Sequence, residues 1–254
     1  MGIPIEDENI RMGRPIVNTV IILVNIIVFL VGNVKASLLY PGAETYEDLI
    51  YSLGMIPANI VAGIALSTIF TSMFLHADII HLGGNMLYLF IFGDNVETVM
   101  GSLKYLIFYL LSGMGAVVFH IASIAYMPKD ALLNYQLTTG VSPWMIPAIG
   151  ASGAISGVLG AYMLLMPTAR IRSIAFFGFI PLILTFPAYV YIGIWFLYQL
   201  IYGLATMYTG AIAGIAFWAH VGGFLTGMAL TPIFIDRRKL RILRWFMAHR
   251  MIRY

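Results

Sequence analysis

Three short stretches of this chain carry side chains able to do chemistry in surroundings that are otherwise apolar. Residues 150–157 read GASGAISG and set one hydroxyl, Ser152, at the head of a run of small residues. Residues 218–223 read WAHVGG and hold His220, while HLGGN, 81–85, puts His81 and Asn85 one helical turn apart on one face. A serine beside a neutral imidazole is the minimal pair for nucleophilic attack, because the ring takes the hydroxyl proton and later returns it to a leaving group. Each stretch alone has a plainer reading. Small residues with a serine pack helices together, and a single intramembrane histidine serves equally as a proton relay or an interhelical hydrogen bond. His81 with Asn85 fits a structural clamp or a ligand site, and metal ligation is weakened because no carboxylate joins them at ligand spacing. The joint occurrence of the three points to a catalytic pair.

The elements that must position these residues are membrane helices. A chain with 61% hydrophobic and only 10% charged residues is not a water-soluble domain. Apolar runs near 16–33, 80–99, 103–126, 148–166, 187–207 and 213–233 approach the roughly 20 residues that a spanning helix needs. None shows the alternation of a barrel strand, so an all-α polytopic bundle of six transmembrane helices is expected. The segment 55–75 is also uncharged, but Pro57, Asn59, Ser67, Thr68, Thr71 and Ser72 make it a poor lipid-facing helix. It reads as a membrane-embedded loop between the first and second helices.

Lysine and arginine set the orientation. With six spans, Arg11, Arg14, Lys104, Arg170, Arg172 and seven residues of the tail fall on one side, against Lys35 and Lys129 on the other. Both termini are therefore expected in the cytoplasm, of a cell membrane. Residues 1–15 form a polar N-terminus, without a cleavable signal, 16–235 the membrane domain, and 236–254 a basic tail. The tail sequence RRKLRILRWFMAHRMIRY fits an anchor at an anionic inner leaflet, with Trp245 and Phe246 dipping into the interface.

With this orientation the second, fourth and sixth spans run inward from the outer face and carry their unusual residues near their beginnings. Ser152 is expected about five residues into its helix, roughly 7 Å down, and His220 about seven residues in, roughly 10 Å. Gly150, Gly153, Gly157 and Gly160, with Ala219, Gly223 and Gly227 on the sixth span, follow the small-xxx-small pattern that lets backbones approach. Close approach is what a Ser–His hydrogen bond of about 2.6 to 3.2 Å requires.

In order and spacing, FLHADIIHLGGNMLYLFIFGDNVE (74–97), GASGAISG and AHVGGFLTG (219–227) resemble the motifs of the rhomboid intramembrane serine proteases. The resemblance covers nearly the whole chain between the termini. It implies six helices, a partly immersed first loop and cleavage of transmembrane protein substrates. Gly150-Ala151-Ser152-Gly153 matches the family's GxSG, which makes Ser152 the implied nucleophile. His220 matches the general base, and His81 and Asn85 match the side chains that assist the oxyanion. The Ser152 backbone amide joins them if the start of the fourth helix leaves it without an acceptor. Asp94 and Glu97 lie about three turns beyond His81, so a dyad is expected, with Asp78 a minor candidate for a third member. Two positions depart from the family pattern. Ser67-Thr68 replaces a Trp-Arg of the first loop, and Ser156 stands where many bacterial members carry an aromatic that stacks on the histidine. Phe217 and Trp218 are the available substitutes, although their position first suggests an outer-interface belt.

The resemblance further implies a gate. The fifth helix, entered from the apolar stretch 174–187 and joined to the sixth by MYTGAIAG (207–214), is expected to open for substrate arriving sideways from lipid. Residues 127–147 read as a plain connector. Expected partners are transmembrane protein substrates and the lipid bilayer, without nucleic acid, and nothing signals an oligomeric state. No cofactor or metal is expected: cysteine is absent, there is no HExxH, and Ala154 breaks the GxSxG of soluble hydrolases. Two rivals stand beside the protease. A non-catalytic binder of membrane clients has no need of both Ser152 and His220. A transporter needs a polar path through the full thickness, for which only Asn18, Asn25, Asp94 and Glu97 lie deep.

Overall fold

The computed structural model describes residues 2–7, 14–211 and 214–250. Arg11 and Arg253 of the charge count and residues 212 and 213 of the 207–214 loop lie outside the described residues, as do the side chains of Phe246 and Arg250. The chain is mostly helical. Strand β1 (Ile3–Asp7) precedes α1 (Ile16–Lys35), which begins directly behind Pro15. Three short helices follow: α2 (Tyr46–Leu53), closed by a reciprocal Thr45–Asp48 capping box, α3 (Pro57–Val61) and α4 (Thr68–Thr71). Helix α5 (Ile79–Tyr88) passes through a wider π turn at Leu89–Gly93 into α6 (Asp94–Met100). Then come α7 (Ser102–Ala125), α8 (Lys129–Thr139) and α9 (Ser152–Leu165). A hairpin of β2 (Arg170–Phe177) and β3 (Ile180–Pro187) leads into α10 (Ala188–Thr209), α11 (Phe217–Phe234) and α12 (Arg237–Arg250).

Four helices, α1 extended to Leu38, α7, α10 and α11, are long and apolar enough to cross a membrane. The Thr68–Phe74 and Ile79–Met100 segments meet at a 96° bend and together pass the same test. Helix α9 has only 14 residues, about 21 Å of helix against a hydrocarbon thickness near 30 Å. Its shortness follows from its place. Every residue from Ala154 to Tyr162 is buried, so α9 is wrapped by protein on all sides, and an all-round apolar helix is one that lies in a core. Helices α7 and α11 make its largest contacts, and Tyr105, Tyr109, Phe108, Phe224 and Tyr162 fill the spaces among them with no exposure above 1%.

Three expectations need correction. The bundle is not all-α, because β1, β2 and β3 form an antiparallel sheet in that order, with Ile3 opposite Ile174 and Ile174 opposite Ile183. The stretch 174–187 therefore belongs to a hairpin instead of a simple lead-in to the fifth helix. Its strands expose apolar side chains on both faces near the Gly178-Phe179 turn, with Phe176, Phe177 and Ile183 all more than half exposed. An alternating pattern was absent for that reason. Residues 127–147 are also more than a connector. Helix α8 fills half of them, and Asn134 Nδ2 donates to the Thr209 carbonyl at 2.7 Å, tying α8 to the end of α10.

Candidate active site

Ser152 is the first residue of α9, entered through a turn at Ala151 from a non-helical stretch. Ala148 exchanges two backbone hydrogen bonds with Met55, at 2.8 and 3.1 Å, and the Gly150 amide donates to the Ser72 carbonyl at 2.9 Å. Two points of the 55–75 segment thus clamp the approach to the serine. Gly150 has φ +118°, a conformation that side chains rarely adopt, and a Cβ there would lie 2.8 Å from His81 Nε2. The chain makes its turn into α9 at that point. The helical position expected for Ser152 is corrected accordingly: it opens its helix instead of standing about five residues in, since Ala148 and Gly150 are held outside the helix by Met55 and Ser72. Likewise α11 begins at Phe217, so His220 is its fourth residue, not its seventh. As the opening residue of α9, Ser152 has a backbone amide without an intrahelical acceptor.

The contact between α9 and α11 is made backbone to backbone. A Cβ on Gly223 would strike the Gly153 carbonyl, and one on Gly227 would strike the Gly157 backbone. Gly153 and Gly157 also face Ala116 and Ser112 of α7. This proximity brings His220 Nε2 to 2.9 Å from Ser152 Oγ. The other ring nitrogen of His220, Nδ1, lies 2.8 Å from the Oε1 of Gln199, a buried side chain of α10. Trp195, one turn earlier on α10, sets its ring 6.0 Å from the imidazole at 34°.

His81 and Asn85 both lie on α5, and the His81 ring stands against Gly150. The Ala77 amide donates to His81 Nδ1 at 3.3 Å, which leaves the ring proton on Nε2, the nitrogen against Gly150. Asn85 Nδ2 donates to the His81 carbonyl at 3.1 Å. Among the described residues neither side chain is hydrogen-bonded to Ser152. Asp78 is corrected from a candidate third member to a helix cap: its Oδ1 accepts from the Ile80 and His81 amides, both at 2.8 Å, and the carboxylate is exposed to solvent. The same bond from the His81 amide, joined by the Ile80 amide, holds its carboxyl below the usual 3.8. Phe217 and Trp218 are also corrected. Phe217 is 3% exposed and packs against Tyr198 and Tyr202, and Trp218 Nε1 donates to the Gly203 carbonyl at 2.9 Å, so both join α10 to α11 and neither lies on His220.

Sequence reading missed four contributors. Gln199 carried a signal, as the one amide or charged side chain between residues 188 and 209. Trp195 sits among many aromatics and carried none. His76 is fully buried with its ring edge-on to His81 at 5.0 Å, and His120 of α7 lines the space next to Ser152. That space, about 50 Å³, is bounded by Ser152, Gly153, Ala116 and His120. A larger cleft of about 440 Å³ runs from His81 and His120 past Ile149 toward Thr206 and Trp218, within the range of substrate sites.

The sequence has known relatives. The rhomboid domain family matches residues 64–237, a stretch holding all of the side chains just described. The chain belongs to the rhomboid family. It is 32% identical over 173 residues to Rhomboid protease AarA of Providencia stuartii, covering 67% of this chain and 57% of that protein. Over 109 residues it is 34% identical to the mitochondrial Rhomboid protein 1 of Saccharomyces cerevisiae, covering 43% and 28%. Rhomboid protease GluP of Bacillus subtilis matches at 28% over 151 residues, covering 59% and 25%. The chain thus spans little more than half the length of the first relative and less of the others. The rhomboid family includes intramembrane serine proteases, and the domain here is membrane-embedded, with several apolar helices of spanning length.

Proposed function

We propose that this protein is an intramembrane serine endopeptidase that cleaves transmembrane substrates near the outer face of the membrane. The observation that carries the reading is the 2.9 Å contact between Ser152 Oγ and His220 Nε2, made at the first turns of two helices, with Ser152 lining a space of about 50 Å³. In the first step the Ser152 hydroxyl attacks the scissile carbonyl carbon as its proton passes to His220 Nε2. The oxyanion that forms is stabilised by the Ser152 amide, by His81 Nε2–H and by the second N–H of Asn85; removing one such donor costs about 10² to 10³ in rate. His220 then gives its proton to the leaving amine, and water repeats the sequence on the acyl-enzyme.

The domain is read as six spans, with α9 as the short fourth one and the 55–75 segment immersed in the outer leaflet. Residues 16–235 form the membrane domain, 1–15 and 236–254 lie in the cytoplasm, and the host is a cell membrane, by the charge distribution. No cofactor takes part, and lipid is the second partner. The decisive experiment compares wild type with Ser152→Ala, purified into liposomes with a model transmembrane substrate. Cleavage by wild type alone is expected; equal cleavage by both would remove the nucleophile assignment, and a catalytically silent wild type would favour a client-binding member of the family.

Substrate enters past α10. The chain has no cysteine, so Asn134→Cys with Thr209→Cys, at the α8–α10 contact, permits a clean crosslink. Locking that pair with a short bismaleimide should stop cleavage of a membrane-spanning substrate, and undiminished cleavage in the locked protein would rule out the gate.

A further inference from the structure

We propose that Gln199 is a positioning residue that sets the tautomer of His220 and holds the ring toward Ser152, doing for this dyad what a carboxylate does in a triad. The inference rests on the reading of Ser152 and His220 as the catalytic pair. A neutral imidazole carries one ring proton, and which nitrogen bears it depends on the partner of the other. The Oε1 of Gln199, 2.8 Å from Nδ1, is an acceptor only, so Nδ1 must be the donor. Nε2 is then left with its lone pair facing the Ser152 hydroxyl at 2.9 Å, the arrangement a general base needs. With the proton on Nε2 instead, the hydroxyl would find a donor where it needs an acceptor, and proton transfer would fail.

The burial of Gln199 strengthens the constraint. At 5% exposure the amide has little access to water, and an unpartnered amide in such a place is costly, so the contact with His220 satisfies both groups. The charged and titratable side chains near His220 are His81 from α5 and His120 from α7, both short of hydrogen-bond contact with it; α9 supplies Ser152 and α10 supplies Gln199. No carboxylate among the described residues contacts the ring. When His220 takes the serine proton, Nδ1–H remains donated to Oε1, and the amide accepts no proton at any step.

The acceptor sits on α10 and not on α9 or α11. Trp195, four residues earlier, flanks the same ring from the same helix face. The base is thus held from the helix past which substrate enters, and the tautomer lock exists only while α10 rests against α11.

Variants of Gln199, with NMR spectra of His220, test this. Solid-state NMR of the ¹⁵N-histidine protein in liposomes, with His220→Gln used to assign the signal, should show wild-type His220 protonated at Nδ1 alone. In Gln199→Leu, which keeps the bulk and removes the acceptor, both tautomers should appear. Kinetically, Gln199→Leu should lower kcat about 10- to 100-fold, the size typical of losing an orienting partner, with KM changed less than about 2-fold. Gln199→Glu restores an acceptor and should recover at least about 10-fold over Leu. Protonation of wild-type His220 at Nε2 would overturn the proposal. So would equal impairment of the Leu and Glu variants, or an effect confined to KM and thermal stability, which packing alone would give. Should Gln199→Leu fail to fold, the shorter Gln199→Asn and the wild-type spectrum decide. A wild type that cleaves nothing would sink the protease reading, and the spectrum would still decide the role of Gln199.

Discussion

At the end of the bundle where α1 begins, polar side chains are knotted together; at the end where α9 and α11 begin, they are few and stand beside open space. In the first region the Glu97 carboxylate accepts from the Val17 and Asn18 amides at 3.0 and 2.7 Å and from Ser102 Oγ at 2.6 Å. It caps in trans the free amides of α1. Asn18 in turn donates to the Leu89 carbonyl at 2.9 Å and accepts from the Tyr105 hydroxyl at 2.8 Å. The Leu89 carbonyl opens the π turn, where the regular helical ladder is broken. Asp7 of β1 receives Tyr162 Oη at 2.7 Å and Asn95 Nδ2 at 2.8 Å, which sews the sheet to α9 and α6. In the second region each of Ser152 and His220 is only half-buried, Ser152 lines a space of about 50 Å³, and a cleft of about 440 Å³ shares His120 and Ile149 with that space.

The contrast teaches how to tell polar groups that hold a membrane protein together from those that act. Groups of the first kind are buried and have every donor and acceptor matched, because an unmatched one in an apolar interior is costly. Groups of the second kind keep an unused valence where a substrate can arrive. By this criterion Asn18, Asp94 and Glu97 are structural.

The largest effect is expected from Ser152→Ala, which should reduce cleavage at least about 10⁴-fold while leaving the melting temperature of the detergent-solubilised protein in place. A marked loss of stability would mean that the serine belongs to the structural class. Glu97→Ala should do the reverse. Two amides and a hydroxyl lose their acceptor, a destabilisation of about 3 kcal/mol or more, visible as a lower melting temperature, whereas the rate per folded molecule should hold. A rate that collapses without loss of fold would abolish the distinction. The smallest effect is expected from Asp78→Ala, which removes the exposed cap of α5. Because the folded carboxyl titrates below its ordinary 3.8, its stabilisation is complete above that value and is lost as the pH falls through the folded one. Melting curves of wild type and Asp78→Ala should therefore differ slightly at neutral pH and converge in strong acid; a constant gap would show that the charge does not act.

Much of the site was legible because polar residues are conspicuous in an apolar chain. Ser152, His220, His81 and Asn85 each interrupt such a run, and the glycines around them follow a spacing with a packing meaning. What escaped was of two kinds. The β2–β3 hairpin is apolar on both faces, so it lacks the alternation that marks a half-buried strand and reads as one continuous apolar run. The starts of α9 and α11 were displaced because hydrophobicity does not distinguish an extended lead from the first turn of a helix. The clamp that makes the difference for α9, Met55 and Ser72 on residues 148 and 150, lies 93 and 78 residues away in the chain.

The amino-acid sequence by itself determined that this is a membrane protein of helices and which side chains are out of place in it, because hydropathy and helical period are properties of neighbouring residues. Only the tertiary structure decided that residues 152 and 220 meet, that Gln199 faces the far side of the same ring, and that Asp78 and Trp218 do not. Those pairings span 68, 21 and more positions of chain, and they arise from which helix faces pack together, a property no single segment carries.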